Sequence, residues 1–335
     1  MSHPIRRRLL AISASAPRAI MRAMLAALAV GGVFSGAQAE PRQAPNSRIA
    51  LEVPASFVPS PRFSGFRDEA SGSSFLIVEM PGAAYDELKT LGDSQDALAQ
   101  KGLTDAQAAQ LPGRSGDYVY ITAKQKTAAG DYGKHILVMR ENDVTAMITA
   151  NIPAKALADK TVTPEQVERA LASATVKAEA AKGQELFQLS YLGPFKPSLS
   201  IMGTSRAYSL SGKVPEPGSQ NAPSEPIFVV APSIDKTQIA DVKQAAQHFF
   251  GTFAGLSGQQ VKSEKEVSLA GLRGYQIVGE GQNPKSEQTA VYIVLLSGEE
   301  GGYYMLAGSA PASDMGTYLP EFEKIAAGFQ PKAVE

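Results

Sequence analysis

The sequence predicts an α+β protein of two similar units, each an antiparallel β-sheet flanked by helices. Residues 49–176 and 187–329 present the same order of apolar runs, turn residues and helical stripes. The match also holds by position. Leu51, Phe57, Pro59 and Ser60 return 138 residues later as Leu189, Phe195, Pro197 and Ser198. Gly113, Gly116, Met147 and Pro153 return 158 residues later as Gly271, Gly274, Met305 and Pro311. The change of offset puts about 20 extra residues in the second copy, between its first strand and its Gly-x-x-Gly turn.

Each element follows from local pattern. The apolar runs Phe75 to Pro81 and Ile227 to Pro232 have the length of a buried strand. A helix is expected next. In the second copy Ile239, Val242, Ala246, Phe249 and Phe253 share one helical face; in the first, the stripe through Leu88, Leu91, Leu98 and Leu103 is interrupted by Gly92 and Gly102. Three strands then follow in each copy: Asp117 to Lys124, His135 to Arg140 and Val144 to Ile152, and again Tyr275 to Val278, Ala290 to Leu296 and Tyr303 to Ala310. The turn residues Glu141-Asn142-Asp143 and Gly298 to Gly302 make the last two strands of each copy a hairpin. A closing helix begins at Thr163-Pro164-Glu165 with Val167, Ala170, Leu171 and Ala174 inward, matched by Tyr318, Phe322, Ile325, Ala326 and Phe329. Runs such as Val291 to Leu296 are apolar at successive positions, so both faces of each sheet are covered.

This order, with Phe57 before Pro59 and Gly113 before Gly116, resembles the PsbP-like fold shared with DcrB-like bacterial envelope proteins. The resemblance covers most of the chain, twice, and rests on structural positions. It implies an α-β-α sandwich used for binding or assembly, in a family with no common catalytic apparatus, so no functional residue is carried over.

The first 39 residues are a different kind of sequence: Arg6, Arg7, Arg8, Arg18 and Arg22, no acid, an apolar run from Met24 to Phe34, then Ala37-Gln38-Ala39. They read as a signal peptide cleaved before Glu40, giving a periplasmic or secreted protein. Met21 is an alternative start, and Arg6-Arg7 before Leu9-Leu10 leaves twin-arginine export open beside the general route. The apolar run is too short for a membrane span, and no later segment comes closer, so the mature chain is expected to be soluble without a transmembrane segment. The expected organisation is a signal at 1–39, a first PsbP-like unit at 40–180 and a second at 181–335, with the boundary in Lys177 to Glu185.

The full chain of 335 residues has 32 basic and 33 acidic residues and no Cys. Loss of the five leader arginines leaves 27 basic against 33 acidic residues, which argues against a nucleic-acid partner. The lack of Cys excludes disulfides, thiolate metal sites and a lipid-anchored cysteine. His135 and His248 are the mature chain's histidines; His248 falls opposite the Phe249 and Phe253 stripe, on the solvated side, and His135 reads as an edge position opening a strand. Gly203-Thr204-Ser205-Arg206-Ala207 is a poor nucleophile elbow, ending in Ala. Glu299-Glu300 reads as a solvated hairpin turn, and no phosphate loop, dinucleotide fingerprint or metal signature stands out. Phe57 and Phe195, each two before a proline, read as shared packing residues, and the Gly-x-x-Gly pairs as turn residues.

No catalytic, metal or cofactor-binding residue is therefore assigned, and no cofactor is expected. The favoured class is a non-enzymatic binding or envelope-assembly protein whose partner is an envelope protein or a small ligand. The alternatives are a carboxylate-based hydrolase and a carrier of lipid or another apolar ligand. Since shared residues are explained by the shared fold, a partner site is sought where the copies differ. Lys213 to Pro226, rich in proline, has only Arg67 to Ser73 opposite it; Lys213, Pro215, Glu216, Asn221 and Glu225 are the contact candidates.

Overall fold

The computed structural model describes residues 40–100, 102–127, 130–201, 203–213, 225–253, 255–298 and 301–333. The leader and its cleavage site, Pro215, Glu216 and Asn221 of the proline-rich loop, and Glu299-Glu300 lie outside the described residues.

The first unit opens with β1 (Arg42–Gln43), β2 (Ile49–Leu51), β3 (Val58–Pro59), β4 (Gly65–Asp68) and β5 (Ser73–Pro81). Two short helices follow, α1 (Tyr85–Leu88) and α2 (Gln95–Gln100), then β6 (Leu103–Ala109), β7 (Asp117–Thr127), β8 (Gly130–Glu141) and β9 (Val144–Pro153). It closes with α3 (Ala154–Ala158), α4 (Pro164–Ala172) and β10 (Thr175–Val176). The second unit runs β11 (Phe187–Leu189), β12 (Lys196–Ile201), β13 (Ser205–Ser209), β14 (Ile227–Pro232), α5 (Val242–Gly251), β15 (Ser257–Leu269), β16 (Leu272–Gln282), β17 (Gln288–Ser297), β18 (Tyr303–Pro311), α6 (Met315–Ala327) and β19 (Phe329–Pro331).

Each unit is built on a seven-stranded sheet, in the orders β3-β4-β5-β9-β8-β7-β6 and β12-β13-β14-β18-β17-β16-β15. The two orders are the same and every pairing is antiparallel. Each unit also ties its first segment to its last: β2 pairs with β10 and β11 with β19. Helices cover both faces, so each sheet has two cores. Val167 of α4 packs in one core with Phe57, Phe75 and Ile148; on the opposite face lie Tyr85, Leu98, Ile121 and Val138. In the second unit the α6 face buries Phe195, Phe228, Tyr292 and Phe322, and the α5 face Ala246, Phe250, Ile277 and Leu295. The sandwich implied by the PsbP-like resemblance is thus present in both halves.

Four expectations need correction. First, each unit has one more strand after its helical segment than the three expected: the edge strands β6 and β15. Their side chains are mostly exposed, so they lack the alternation that marks a half-buried strand. Second, the stripe through Leu88 and Leu103 is two short helices with Leu103 in β6, as the two interrupting glycines favour. Third, Phe250 is more deeply buried than Phe249 and Phe253, which are partly covered, so the inward face of α5 is wider than the expected stripe. Fourth, Gly274 is not a turn residue. It lies inside β16 opposite Val267 and Leu296, where a Cβ would meet Leu295 O at 2.6 Å. The β15–β16 turn is made by Ala270 and Gly271 alone, with φ of 51° and 80°, the left-handed pair a two-residue hairpin requires.

The closing helix of the first unit starts as its sequence indicates. Thr163 and Gln166 form a reciprocal capping box with Pro164 at the first turn. Its other end is held by Arg114, whose Nη1 donates to Ala172 O at 3.1 Å and Ala174 O at 2.9 Å. A cation there also complements the negative end of the helix dipole. Arg114→Ala is expected to lower stability by about 1–3 kcal/mol in urea unfolding at neutral pH; an unchanged midpoint would show the carbonyls to be satisfied without it.

Both units pack into one body. The segment after β10 runs beside the start of the first unit, with Lys177 N donating to Arg48 O, Ala181 N to Ser47 O and Gly183 N to Asn46 Oδ1. The first unit's β3–β4 turn reaches the second unit. Arg62, 8% exposed, donates through Nη1 to Ser233 O and Oγ and to Asp235 O at 3.3–3.4 Å, and Thr204 Oγ1 donates to Arg62 O at 2.7 Å.

Candidate functional site

Because the registers match, residues of the two units can be equated by hydrogen-bonded position. Val119 pairs with Val138 and Val138 with Met147; Tyr275 pairs with Leu295 and Leu295 with Met305. Asp117 and Arg140 of the first unit therefore occupy the places of Arg273 and Ser297 in the second.

At this end of the first unit an ion pair spans β7 and β8. Arg140 donates from Nε (3.1 Å) and Nη2 (2.5 Å) to Asp117 Oδ2, lies 3.5 Å from Asp86 Oδ2 through Nη1, and stacks 4.9 Å above the buried Tyr85 ring. The Asp117 hydrogen bond holds the Arg140 guanidinium above its usual pKa, and burial pushes the Tyr85 phenol up.

The corresponding end of the second unit is a groove of about 580 Å³ between the start of α5 and the β15–β16 hairpin. Its lining includes Ile239, Val242 and Tyr275 on the apolar side, and Glu266 and Arg273 among the charges. Ser297 stands where the first unit has Arg140. Asp241 is used locally, its side chain capping α5 by accepting from Gln244 N at 3.0 Å. Lys243 is also engaged: it lies 3.5 Å from Glu264 Oε1 and 5.4 Å from the Tyr275 ring centre, and its bond to the Tyr275 hydroxyl raises its pKa. Arg273 and Glu266 are exposed and form no ion pair among the described residues.

A second groove, of about 430 Å³, lies where Ser200 and Gly203 of the second unit approach Arg48, Ser64 and Glu79 of the first. Its cation is satisfied within the chain: Arg48 bonds Glu79 through N (2.6 Å) and Nε (3.2 Å) and lies 3.6 Å from Asp143.

The residues singled out in the sequence fall elsewhere. Ile227, which follows the proline-rich loop, pairs with Ser309, and Ser309 with Val291. This is the far end of the sheet from Gly274 and Leu296. Of the loop's candidates, exposed Lys213 is anchored by its N–H to Ser211 Oγ at 3.1 Å, and Glu225 accepts from Ser211 N and Oγ. The structure does not bring them to the groove.

His135 is not an edge residue. It lies inside β8 between Thr122 and Ala150, 7% exposed, with Nδ1 2.6 Å from Tyr120 Oη. Tyr120 Oη is also 3.4 Å from Glu168 Oε1 of α4. Burial lowers the His135 pKa to about 4, so the ring is neutral near pH 7. With the proton on Nδ1, it donates to Tyr120, leaving the phenol proton for Glu168. Burial, then the Glu168 charge, raise the Tyr120 pKa. In the second unit the same three positions hold Gln276, Tyr292 and Glu323; Gln276 Nε2 lies 3.5 Å from Glu323 Oε1 and Tyr292 is 1% exposed. A polar layer between sheet and closing helix is thus common to both units, with different chemistry in each. His248 is exposed on α5, as its place on the wheel indicates.

The sequence matches no protein-family model and no curated protein. Among solved structures the chain is similar to LpqN of Mycobacterium tuberculosis, described as involved in cell envelope biogenesis, at 14% identity and a TM-score of 0.34 over 44% of this chain and 83% of that one. It is also similar to cyanobacterial PsbP from Synechocystis sp. PCC 6803, at 9% identity and a TM-score of 0.27 over 45% of this chain and 95% of that one. The T6SS immunity protein TplEi of Pseudomonas aeruginosa spans both units, with 10% identity and a TM-score of 0.27 over 88% of this chain and 97% of that one. The likeness is one of fold alone. No helix among the described residues is long and apolar enough to cross a membrane.

Proposed function

We propose that the chain is an exported, non-enzymatic binding protein that engages a partner through the groove of its second unit. The observation that carries this reading is the asymmetry between equivalent sites: in the first, Arg140 pairs with Asp117 and stacks on Tyr85, and in the second a groove holds Ser297 and an Arg273 with no ion pair among the described residues. Copies of one fold share what the fold needs, so a difference concentrated in one groove is where a function of one copy belongs. The buried Tyr120–His135–Glu168 cluster supports packing rather than catalysis, because the same layer is rebuilt as Gln276–Tyr292–Glu323 in the other unit. In this reading the mature protein begins at Glu40, carries its units at 40–180 and 181–335, and works in the periplasm or outside the cell.

The test is site-specific photocrosslinking in the source cells. Benzoylphenylalanine replacing Ser297 is expected to give a discrete adduct with a partner, and the same group replacing Lys155, an 84%-exposed side chain of the first unit, is expected to give none. Adducts of equal yield at both positions, or none at Ser297, would remove the groove from consideration. Labelling Lys213 tests the proline-rich loop as a separate contact. An adduct there without one at Ser297 moves the site to the far end of the sheet.

A further inference from the structure

The second unit's groove differs from the equivalent site of the first unit in charge. In the first unit a carboxylate, Asp117, sits on β7 and its guanidinium partner, Arg140, on β8. In the second unit the β16 position carries the guanidinium, Arg273, and Ser297 on β17 offers it no acid. Among the described residues, two of the nearby acids are committed and a third, Glu266, lines the groove unpaired. Asp241 caps α5, and Glu264 accepts from Gln247 Nε2 at 3.0 Å and lies 3.5 Å from Lys243. Glu266 faces Tyr275 across the hairpin, one position along from Ser268 and Arg273 on the same face, and forms no ion pair with Arg273.

We infer that this groove takes an acidic segment of a partner polypeptide, with a partner carboxylate on Arg273 and an apolar side chain over Ile239 and Val242. This rests on the groove being the binding site proposed above, and adds the chemistry of what it binds. A planar guanidinium pairs a carboxylate through two parallel N–H donors, a stronger and more directional contact than an amine makes. The apolar lining supplies the remainder of the contact. The second unit thus leaves Arg273 to a partner's acid, at the position where the first unit pairs Asp117 with its own Arg140.

The experiment measures fluorescence anisotropy of two labelled peptides, Phe-Asp-Phe-Asp-Phe and Phe-Asn-Phe-Asn-Phe, on the mature chain from Glu40. The Asp peptide is expected to bind saturably and at least tenfold more tightly than the Asn peptide. Arg273→Ala is expected to weaken it at least tenfold and Arg273→Lys to fall between. The double variant Arg273→Asp with Ser297→Arg, which restores the first unit's pair, is expected to abolish binding while melting no lower than the parent. Equal binding of both peptides, no saturable binding of the Asp peptide, or indifference to Arg273→Ala overturns the inference. If the Ser297 crosslink still forms in that event, the binding reading survives and only the ligand chemistry is wrong; if the crosslink is also missing, both fall.

Discussion

Gly308→Ala is expected to cost about 1–3 kcal/mol, and much of that cost is expected to disappear when Phe322 is shortened to Val. Gly308 lies in β18 opposite Phe228 and Tyr292, beneath α6. A Cβ there would fall 2.5–2.7 Å from Cδ2, Cγ and Cε2 of Phe322. That ring has little room to retreat: it is fully buried, with the rings of Phe195, Phe228, Tyr292 and Tyr318 centred 5.6–6.4 Å away. The first unit solves the same packing problem with the opposite partition of volume, placing Ala150 in the strand and Val167 in the helix, both wholly buried. Phe322→Val alone opens a cavity and is expected to cost about 3 kcal/mol. The double variant, which copies the first unit's pair, should be at least about 1 kcal/mol more stable than the sum of the singles. Urea unfolding of the three variants measures this directly. Strict additivity, or a neutral Gly308→Ala, would mean that helix and sheet separate freely instead of being in register across the core.

How far such equivalences could be read from the sequence depended on burial. Strands β5, β8, β9, β14, β17 and β18 carry apolar runs because helices cover both faces of their sheet, so their pattern survives in one dimension. The edge strands β6 and β15 bury little, and a sequence such as Ser263-Glu264-Lys265-Glu266 carries no mark of the ladder it forms with β16. The groove was hidden for a different reason. The glycine anchors align Gly116 with Gly274, but hydrogen bonding equates Gly274 with Tyr118, because seven residues join β6 to β7 where two join β15 to β16. A two-residue slip sets Asp117 against Tyr275 instead of Arg273, and the exchange of charge between the units vanishes. The signal that could have found it was Arg140 against Ser297, in the hairpin that follows. His135 was missed because its burial is made by Tyr120, 15 residues before it, and by α4, neither of which the local pattern Lys134-His135 reveals.

The second large effect is in pH. The native His135 titrates at about 4, where a histidine free in the unfolded chain titrates near 6.5. Below about pH 6.5 the unfolded state takes up a proton that the native state refuses, so stability falls as pH is lowered towards 4 and the loss is complete below that value. Above pH 6.5 both states are neutral at this site and the full contribution is present. The difference corresponds to about 3 kcal/mol across the window. Carboxylates titrate in the lower part of the same range, so the decisive quantity is the comparison with a variant lacking the imidazole. The second unit supplies its design: Tyr120→Gln with His135→Tyr reproduces Gln276 beneath Tyr292, a pair already accommodated against Glu323. Urea midpoints of that double variant should decline between pH 6.5 and 4 by clearly less than the parent's, with the two converging towards pH 4 and the parent gaining relative stability above it. Introduced alone, His135→Tyr would set two phenols against each other in a closed layer and should cost about 1–3 kcal/mol at every pH through overpacking. If parent and double variant lose stability in parallel from pH 6.5 to 4, then water reaches His135 in the native state and the polar layer beneath α4 is not sealed.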